Sequence, residues 1–248
     1  MQPTPIPGFY DPVSSLSHLM VGVPFFLIMT VLLVWRGRGD TGRMISLAVY
    51  GLSNVLLFSM SGVYHMLPRE STSRMVMQRL DHAAIFLLIA GTFAPAHYIL
   101  FRGWKRWGPL SFVWICAITG VTLKSIFFND LSEFVGLSLY LGLGWLGMLS
   151  GYFIWYYYGG WLFRPLFWGG IAYTFGAVLD FLKAPILIPD VLGPHELFHI
   201  AVLVGAGCFC YFIWLIAKGD VKMIERPEVV ASESTEGARE HSPERSPG

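Results

Sequence analysis

Charged residues are scarce in this chain of 248 residues. Asp, Glu, Lys and Arg make up 13% of the sequence, about half of the roughly 25% found in soluble globular domains. Hydrophobic residues account for 54%, and the mean hydropathy is +0.57. Water cannot hydrate a surface with so few charges, so we expect much of the surface to face lipid. The formal net charge of +1 excludes a nucleic-acid-binding protein that relies on an extended basic surface.

Patterns typical of disulfide-bonded and secreted proteins are also missing. The cysteines all lie in apolar stretches, and their odd number indicates neither a disulfide framework nor a paired-cysteine metal site; they are Cys116, Cys208 and Cys210. The first twelve residues contain four prolines and no Lys or Arg, so the basic start of a signal peptide is absent. We therefore expect the first apolar stretch to remain in the protein.

Long apolar runs dominate the rest of the sequence. A helix that crosses the hydrocarbon core of a bilayer needs about 20 apolar residues. Seven charge-free runs come close to or exceed this length: 19–35, 44–67, 83–101, 107–123, 134–158, 165–179 and 197–217. The sixth is short and reaches full length only if residues 180–182 are included. Because the runs lack the polar alternation of barrel strands, the sequence predicts an all-α fold, an integral membrane bundle of seven transmembrane helices.

Polar segments flank the predicted bundle. We divide the chain into an N-terminal segment (1–17), a seven-helix transmembrane domain (18–217) and a polar C-terminal tail (218–248). From about residue 225 the tail is rich in Glu, Ser, Pro and Arg, a composition typical of disordered segments. The membrane side that receives the C-terminus carries about twice as many Lys and Arg residues as the other side. The positive-inside rule then predicts a cytoplasmic C-terminus and an external N-terminus.

Titratable residues at membrane depth are costly and therefore point to function. In a chain with seven spans, the start of the first, the end of the second and the starts of the third and seventh lie on one side of the membrane. Six titratable residues occur at these places: His18, His65, Asp81, His82, His195 and His199. His97, late in the third span, lies toward the other side. We expect the six residues to gather in one polar site.

The sharpest local motif opens the seventh span. Pro194 suits the first turn of a helix, and His195 and His199 lie one turn apart on the same face, a spacing that can chelate a metal ion. A tetrahedral zinc site of the catalytic kind needs a third protein ligand and leaves a fourth position for water. Two interfacial histidines that face water or headgroups would show the same spacing, so the motif alone leaves both interpretations open.

The same residues also match the His-Glu-x-x-His motif of metalloproteases, in which the glutamate is the general base. A protease requires a further ligand, and the histidine that follows His199 is His241, in the polar tail. Asp180 on the sixth span could serve instead, but its neighbours do not form the Leu-Asp-Gly sequence of intramembrane metalloproteases. We therefore regard the protease as the weaker alternative.

A second cluster lies where the second span ends and the third begins. Ser61 and His65 are one turn apart, so both side chains can face the same interior point. Asp81 opens the third span within Leu-Asp-His-x-x-Ile, and the sequence Ala-Gly-Thr-Phe-x-Pro follows at residues 90–95. An aspartate at a helix start can also act only through its favourable interaction with the helix dipole.

These motifs together resemble those of the hemolysin III-related proteins, the bacterial branch of the progestin and adiponectin receptor (PAQR) family. The resemblance covers about residues 14–217 and all seven predicted spans. Two positions differ: relatives often carry asparagine where this chain has Ser14, and bacterial relatives commonly carry an aromatic residue where it has Asp180. Eukaryotic relatives place the N-terminus in the cytoplasm, opposite to the orientation that the charges predict.

The resemblance implies a zinc site and roles for five residues. In the family, the histidine that ends the second span and both histidines of the seventh span bind zinc, which implies His65, His195 and His199 here. The aspartate that opens the third span contacts the zinc-bound water and corresponds to Asp81, and the serine of the second-span motif corresponds to Ser61. Eukaryotic members are similar to alkaline ceramidases, and adiponectin receptors are described as having ceramidase activity.

Three functional hypotheses are compatible with these residues. The first is a zinc-dependent membrane hydrolase that acts on a lipid amide or ester, with Asp81 as base and Ser61 beside it. The second is a receptor or membrane-stress regulator in which a structural zinc ties the second span to the seventh. The third is a lytic protein, as the family name implies, although no span carries a continuous polar stripe. All three have membrane lipids as partners and the bacterial cytoplasmic membrane as location, and the sequence does not indicate an oligomeric state.

Overall fold

Seven membrane-spanning helices form the fold. The structure, a computed structural model, describes residues 8–189 and 191–224. In these residues, seven helices are long and apolar enough to cross a membrane. They are α1 (Pro12–Arg36), α2 (Thr41–Met66), α3 (Thr72–Leu100), α4 (Gly103–Ile126), α5 (Glu133–Tyr158), α6 (Gly160–Leu182) and α7 (Pro194–Ile216). The predicted all-α, multi-pass membrane bundle is therefore confirmed, and the disorder predicted from residue 225 concerns residues outside the described ranges.

Polar caps, rather than the ends of the apolar runs, set where several helices begin. The Ser71 hydroxyl accepts a hydrogen bond from the Arg74 N–H at 3.2 Å, so α3 starts at Thr72, well before the apolar run at 83–101. The Asp40 carboxylate accepts from the Arg43 N–H at 2.8 Å at the start of α2. Such side chains satisfy the free N–H groups of a first helical turn. The helices consequently extend beyond the runs into the polar boundary of the membrane.

A π-helical stretch interrupts α1 at Ser17–Gly22. Stretches of this kind widen the helical turn, change the direction of the side chains and occur frequently at functional sites. His18 lies in this stretch and is buried between α2 and α7. Its ring meets Phe58 edge-on at 4.8 Å and lies 4.3 Å from the ring of His199, measured between ring centroids. The wider turn therefore coincides with the histidine that α1 contributes to the interior.

The helices pack unevenly. The most extensive contacts join α1 to α2, α6 to α7, α2 to α3 and α3 to α4, and α5 packs mainly on α6. The main apolar core contains large buried side chains from five helices: Phe26, Tyr50, Phe58, Ile154, Leu162, Phe212 and Ile213. Because α5 packs loosely against α3, a cavity lined mainly by apolar side chains lies between α3, α5, α6 and α7.

The close contact between α6 and α7 depends on a glycine. A Cβ atom at Gly205 would lie 2.7 Å from the ring of Tyr173 and 3.1 Å from the carbonyl oxygen of Gly169. Small residues of this kind let transmembrane helices approach each other closely. Gly207, two residues further along α7, has no atom within 4 Å of the position of its missing Cβ.

We expect Gly205→Ala to lower the melting temperature of the purified protein, because overpacking a tight contact costs about 1–3 kcal/mol. Gly207→Ala is the matched control and should leave melting unchanged or raise it slightly, since alanine favours a helix by about 0.8–1 kcal/mol over glycine. Thermal unfolding in detergent, followed by circular dichroism, measures both. Equal melting temperatures for the two variants would contradict the assigned contact.

Candidate metal centre

Three imidazole rings converge at one end of the bundle. His65 lies in the last turn of α2, and His195 and His199 lie in the first turns of α7. The Nε2 atom of His195 is 3.3 Å from Nε2 of His65 and 3.1 Å from Nε2 of His199. The ligand atoms of all three rings lie within 4.8 Å of one another. His65 and His199 are buried, and His195 is partly exposed.

The spacing of these nitrogen atoms fits a metal ion. Zinc bonds histidine nitrogen at about 2.0–2.1 Å, so two ligands of a tetrahedral ion lie roughly 3.3–3.4 Å apart. The two shorter separations are within a few tenths of an ångström of this value. Imidazole nitrogen suits zinc, copper, iron and nickel. The group of His65, His195 and His199 could therefore hold a transition-metal ion, and the spacing alone does not select which one.

The other nitrogen of each ring has its own partner. Nδ1 of His65 is 3.2 Å from Oδ2 of Asp11, and Nδ1 of His195 is 3.1 Å from Oδ1 of Asp180. Nδ1 of His199 lies 3.0 Å from a ring nitrogen of His18. Hydrogen bonds of this kind fix the ring orientation and the tautomer of metal-binding histidines. All three rings are therefore held with Nε2 toward a common centre.

Asp11 connects the N-terminal segment to the site. Its carboxylate accepts a hydrogen bond from Arg74 at 2.6 Å as well as the one from His65, and its N–H donates to the carbonyl oxygen of His65 at 3.0 Å. Burial alone would raise the pKa of Asp11, but the hydrogen bonds from His65 and Arg74 hold this pKa well below its ordinary value. The carboxylate therefore stays ionised and supports His65 as an acceptor.

Asp81 and Ser61 lie beside the three histidines. Asp81 is buried on α3 and lines the same cavity as Ser61 on α2, with the two side chains close together. A cavity of about 460 Å³ is lined by Asp81, Ser61, His195 and His199 together with His18 and His82. Five of the six titratable residues that the sequence assigns to one membrane level therefore line one cavity, and the sixth, His65, contacts His195 at its edge. Asp81 does not belong to the group of ligand atoms and faces the same space from another helix.

His82 and His97 have other partners. Nδ1 of His82 donates to the carbonyl oxygen of Gln78 at 2.8 Å, and its ring packs edge-on against Phe128. His97 bonds the carbonyl oxygen of Lys105 at 3.0 Å and the hydroxyl of Ser150 at 2.9 Å. His82 therefore borders the cavity without joining the cluster of nitrogen atoms, and His97 stabilises helix contacts at the opposite end.

The contacts of Glu196 and Asp180 do not match those of a metalloprotease. The carboxylate of Glu196 accepts a hydrogen bond from the Gly193 N–H at 2.9 Å and thereby caps α7, and its other oxygen is 3.5 Å from the hydroxyl of Ser14. A general base would instead face the metal. Asp180 contacts Nδ1 of His195, the side of the ring that is turned away from the cluster. The protease alternative therefore lacks both its base and its further ligand in this arrangement.

The role of Asp11 is not apparent from the sequence, and that of His18 is apparent only in part. Asp11 directly precedes Pro12 and resembles an ordinary helix-capping residue, so nothing in its local sequence indicates a contact with His65. The sequence places His18 at the right membrane level. The pattern of apolar residues, however, does not reveal the π-helical stretch that turns His18 toward His199. Asp180 stands out in the sequence as an acid on an apolar span.

The fold and the site define a class of protein: a membrane protein of seven helices with a candidate metal centre of three histidines at one end. The profile of the family described as "Haemolysin-III related" matches residues 10–210. "Hemolysin-3" of Bacillus cereus is 30% identical over 208 residues, which span 82% of this chain and 90% of the relative. "Hemolysin-3 homolog" of Bacillus subtilis (strain 168) is 28% identical over 211 residues, 82% and 93% of the two chains. The chain belongs to the haemolysin-III-related family.

We expect His65→Ala to abolish metal binding at micromolar supply, because removing one of three protein ligands leaves an incomplete site. His82→Ala is the control, since this histidine borders the same cavity but packs against Phe128. Protein purified with zinc should be analysed for bound metal by mass spectrometry. Bound metal in His65→Ala together with an empty His82→Ala would contradict the assignment.

Replacing Asp11 should weaken metal binding without removing a ligand. Loss of a hydrogen-bonding partner of a ligating histidine typically lowers affinity 10–100-fold, so we expect a loss of that size for Asp11→Ala. Glu70→Ala is the control, because Glu70 is an exposed acid on the same side of the membrane. Zinc titration against a competing chelator measures the affinities. The same affinity in all three proteins would show that Asp11 does not support the site.

Proposed function

We propose that this protein is a zinc-dependent hydrolase of the membrane that acts on a lipid amide or ester. The observation that carries the proposal is the position of the histidine cluster at the polar end of an apolar cavity. The apolar cavity, of about 220 Å³, lies between α3, α5, α6 and α7. It shares lining residues with the histidine cavity, among them Leu57, Ile85, Tyr140, Ala177 and Phe198. A lipid could place its polar head beside the histidines and an acyl chain in the apolar cavity.

His65, His195 and His199 would hold the ion. Zinc, when bound, would act as a Lewis acid that lowers the pKa of a water molecule to about 7 and polarises a carbonyl group. Asp11, Asp180 and His18 keep the three rings in the ligating orientation through their Nδ1 atoms. The protein thus needs little reorganisation to bind the ion.

Asp81 is the residue we propose as general base. A carboxylate oxygen of Asp81 takes a proton from a water molecule as the water oxygen attacks the carbonyl carbon of the lipid. The same carboxyl group then returns the proton to the leaving nitrogen or oxygen as the bond to the carbonyl carbon breaks. The hydroxyl of Ser61, beside Asp81 in the same cavity, would hold this carboxylate in place by a hydrogen bond. A ceramide-like substrate is an expectation from the family resemblance.

A structural metal is the second candidate. One ligand comes from α2 and two from α7, and His65 and His195 are 130 positions apart in the chain. An ion bound between the two helices would tie them together. A receptor or a stress regulator could use such a structural link. Metal that is bound in full and raises the melting temperature, without hydrolysis of any lipid amide or ester tested, would favour this candidate.

The names of the relatives raise a lytic activity as a further possibility. Leakage of a dye from liposomes that contain the purified protein is the test for such an activity. Dye release that persists after metal removal and in Asp81→Asn would favour lysis over hydrolysis.

We expect Asp81→Asn to retain the metal and lose hydrolysis by about 10²-fold or more, because a positioned general base contributes roughly 10²–10⁴-fold. Asp130→Asn is the control, since Asp130 is an exposed acid. Release of fatty acid from a panel of N-acyl and O-acyl lipids should be measured with and without chelator. Wild-type rates in Asp81→Asn would refute the proposed base, and chelator-resistant hydrolysis would refute the metal dependence.

A further inference from the structure

A buried lysine lines the histidine cavity without a role in the proposed reaction. Lys124 lies near the end of α4, is 5% exposed and borders the cavity of about 460 Å³. A Cβ atom at Gly136 on α5 would lie 2.6 Å from its Nζ atom. The missing side chain at Gly136 therefore leaves room for the ammonium group between α4 and α5.

The acids of this cavity are already engaged elsewhere. Asp81 lies beside Ser61, with its Oδ2 atom 4.0 Å from Nδ1 of His82, and Asp180 contacts His195 at 3.1 Å and Lys183 at 3.5 Å. Among the side chains that the structure describes, no carboxylate forms an ion pair with Lys124. Its closest ring contact is with Phe128, whose centroid is 5.2 Å from Nζ.

A second cation approaches the same ring. The guanidinium carbon of Arg79 lies 5.8 Å from the centroid of Phe128, and Arg79 likewise has no ion pair with a described carboxylate. Two like charges around one phenyl ring repel each other, and a cation–π contact returns much less than the burial of an ammonium group costs. A buried charge of this kind is normally paired. An anion in the cavity would provide such a pair.

We propose that Lys124 forms an anion-binding end of the histidine cavity, with Arg79 adding positive charge from beside Phe128, and that this end recognises the negatively charged headgroup, a phosphate or a carboxylate, of the lipid that the cavity takes up. The proposal rests on the proposed function, since it specifies the headgroup of the same lipid. An ammonium is a compact point charge that suits either group. With the apolar cavity beside it, the site would hold an amphiphile by its charge and its chain together.

Lipid binding to the purified, metal-loaded protein in detergent tests the proposal. Native mass spectrometry should compare dioleoylphosphatidic acid with dioleoylglycerol, and oleate with oleyl alcohol, since each pair shares its acyl or alkyl chains and differs in charge. We expect each anion to bind about tenfold or more tightly than its neutral partner, the gain of a hydrogen bond to a charged group. Equal binding of the charged and neutral lipids would overturn the proposal.

Variants locate the preference. Lys124→Met should bind the anionic lipids about tenfold more weakly and the neutral lipids unchanged, and Lys124→Arg should retain the preference. Lys218→Met is the matched control, because Lys218 is exposed at the far end of α7. A preference that survives in Lys124→Met, or that is lost equally in Lys218→Met, would overturn the proposal. If Lys124→Met does not fold, Arg79→Gln provides the test and should reduce the preference several-fold.

Two further measurements distinguish a lipid-headgroup site from a structural lysine and from a site for free anions. Removing an unpaired buried charge should leave the melting temperature of Lys124→Met in lipid-free detergent unchanged or raise it, whereas the loss of a purely structural lysine would lower it. Inorganic phosphate at millimolar concentration should not displace the lipid, and displacement would show a site for free anions instead. Since none of these measurements needs turnover, an anion preference without hydrolysis would refute the proposed function alone.

Discussion

A polar group placed among lipid chains must find its partners inside the protein, because hydrocarbon supplies none. The site end of the bundle follows from this requirement. Each of the three converging histidines has a partner for its outer nitrogen, and these partners come from three separate segments: Asp11, His18 and Asp180. The ionised Asp11 is in turn paired with Arg74. The ring orientations are thus set by the protein itself, which favours ion binding because little conformational freedom is then lost.

The same contacts explain why the N-terminal segment belongs to the site. Beyond Asp11, the hydroxyl of Ser15 donates to the carbonyl oxygen of Gly62 at 2.8 Å, and Ser14 approaches Glu196. The start of α1 is therefore fixed to both α2 and α7, the two helices that carry the candidate ligands. The π-helical stretch that follows brings His18 under His199. The N-terminal segment and the first turns of α1 therefore hold the histidine rings through polar contacts.

The sequence predicts the number of helices and the membrane level of the site because both depend on local properties. Apolar runs reveal spans, and the parity of the spans assigns His18, His65 and Asp81 to one side. Contacts such as that between Asp11 and His65, 54 positions apart, leave no periodic signal. The role of Glu196 is also ambiguous in the sequence. In the His-Glu-x-x-His pattern this glutamate can either cap the helix or act as a catalytic base, and only the direction of its side chain distinguishes the two roles.

The apolar cavity illustrates how glycine can have opposite effects in one bundle. At Gly205 the missing side chain permits a close helix contact, because Tyr173 and the carbonyl oxygen of Gly169 occupy the space. At Gly144 and Gly170, which line the apolar cavity, no atom lies within 4 Å of the missing Cβ position. Larger side chains there would project into open space and reduce the cavity rather than tighten the packing. Interiors of proteins are normally filled, so glycines that preserve a space beside a histidine cluster are consistent with a ligand that occupies it.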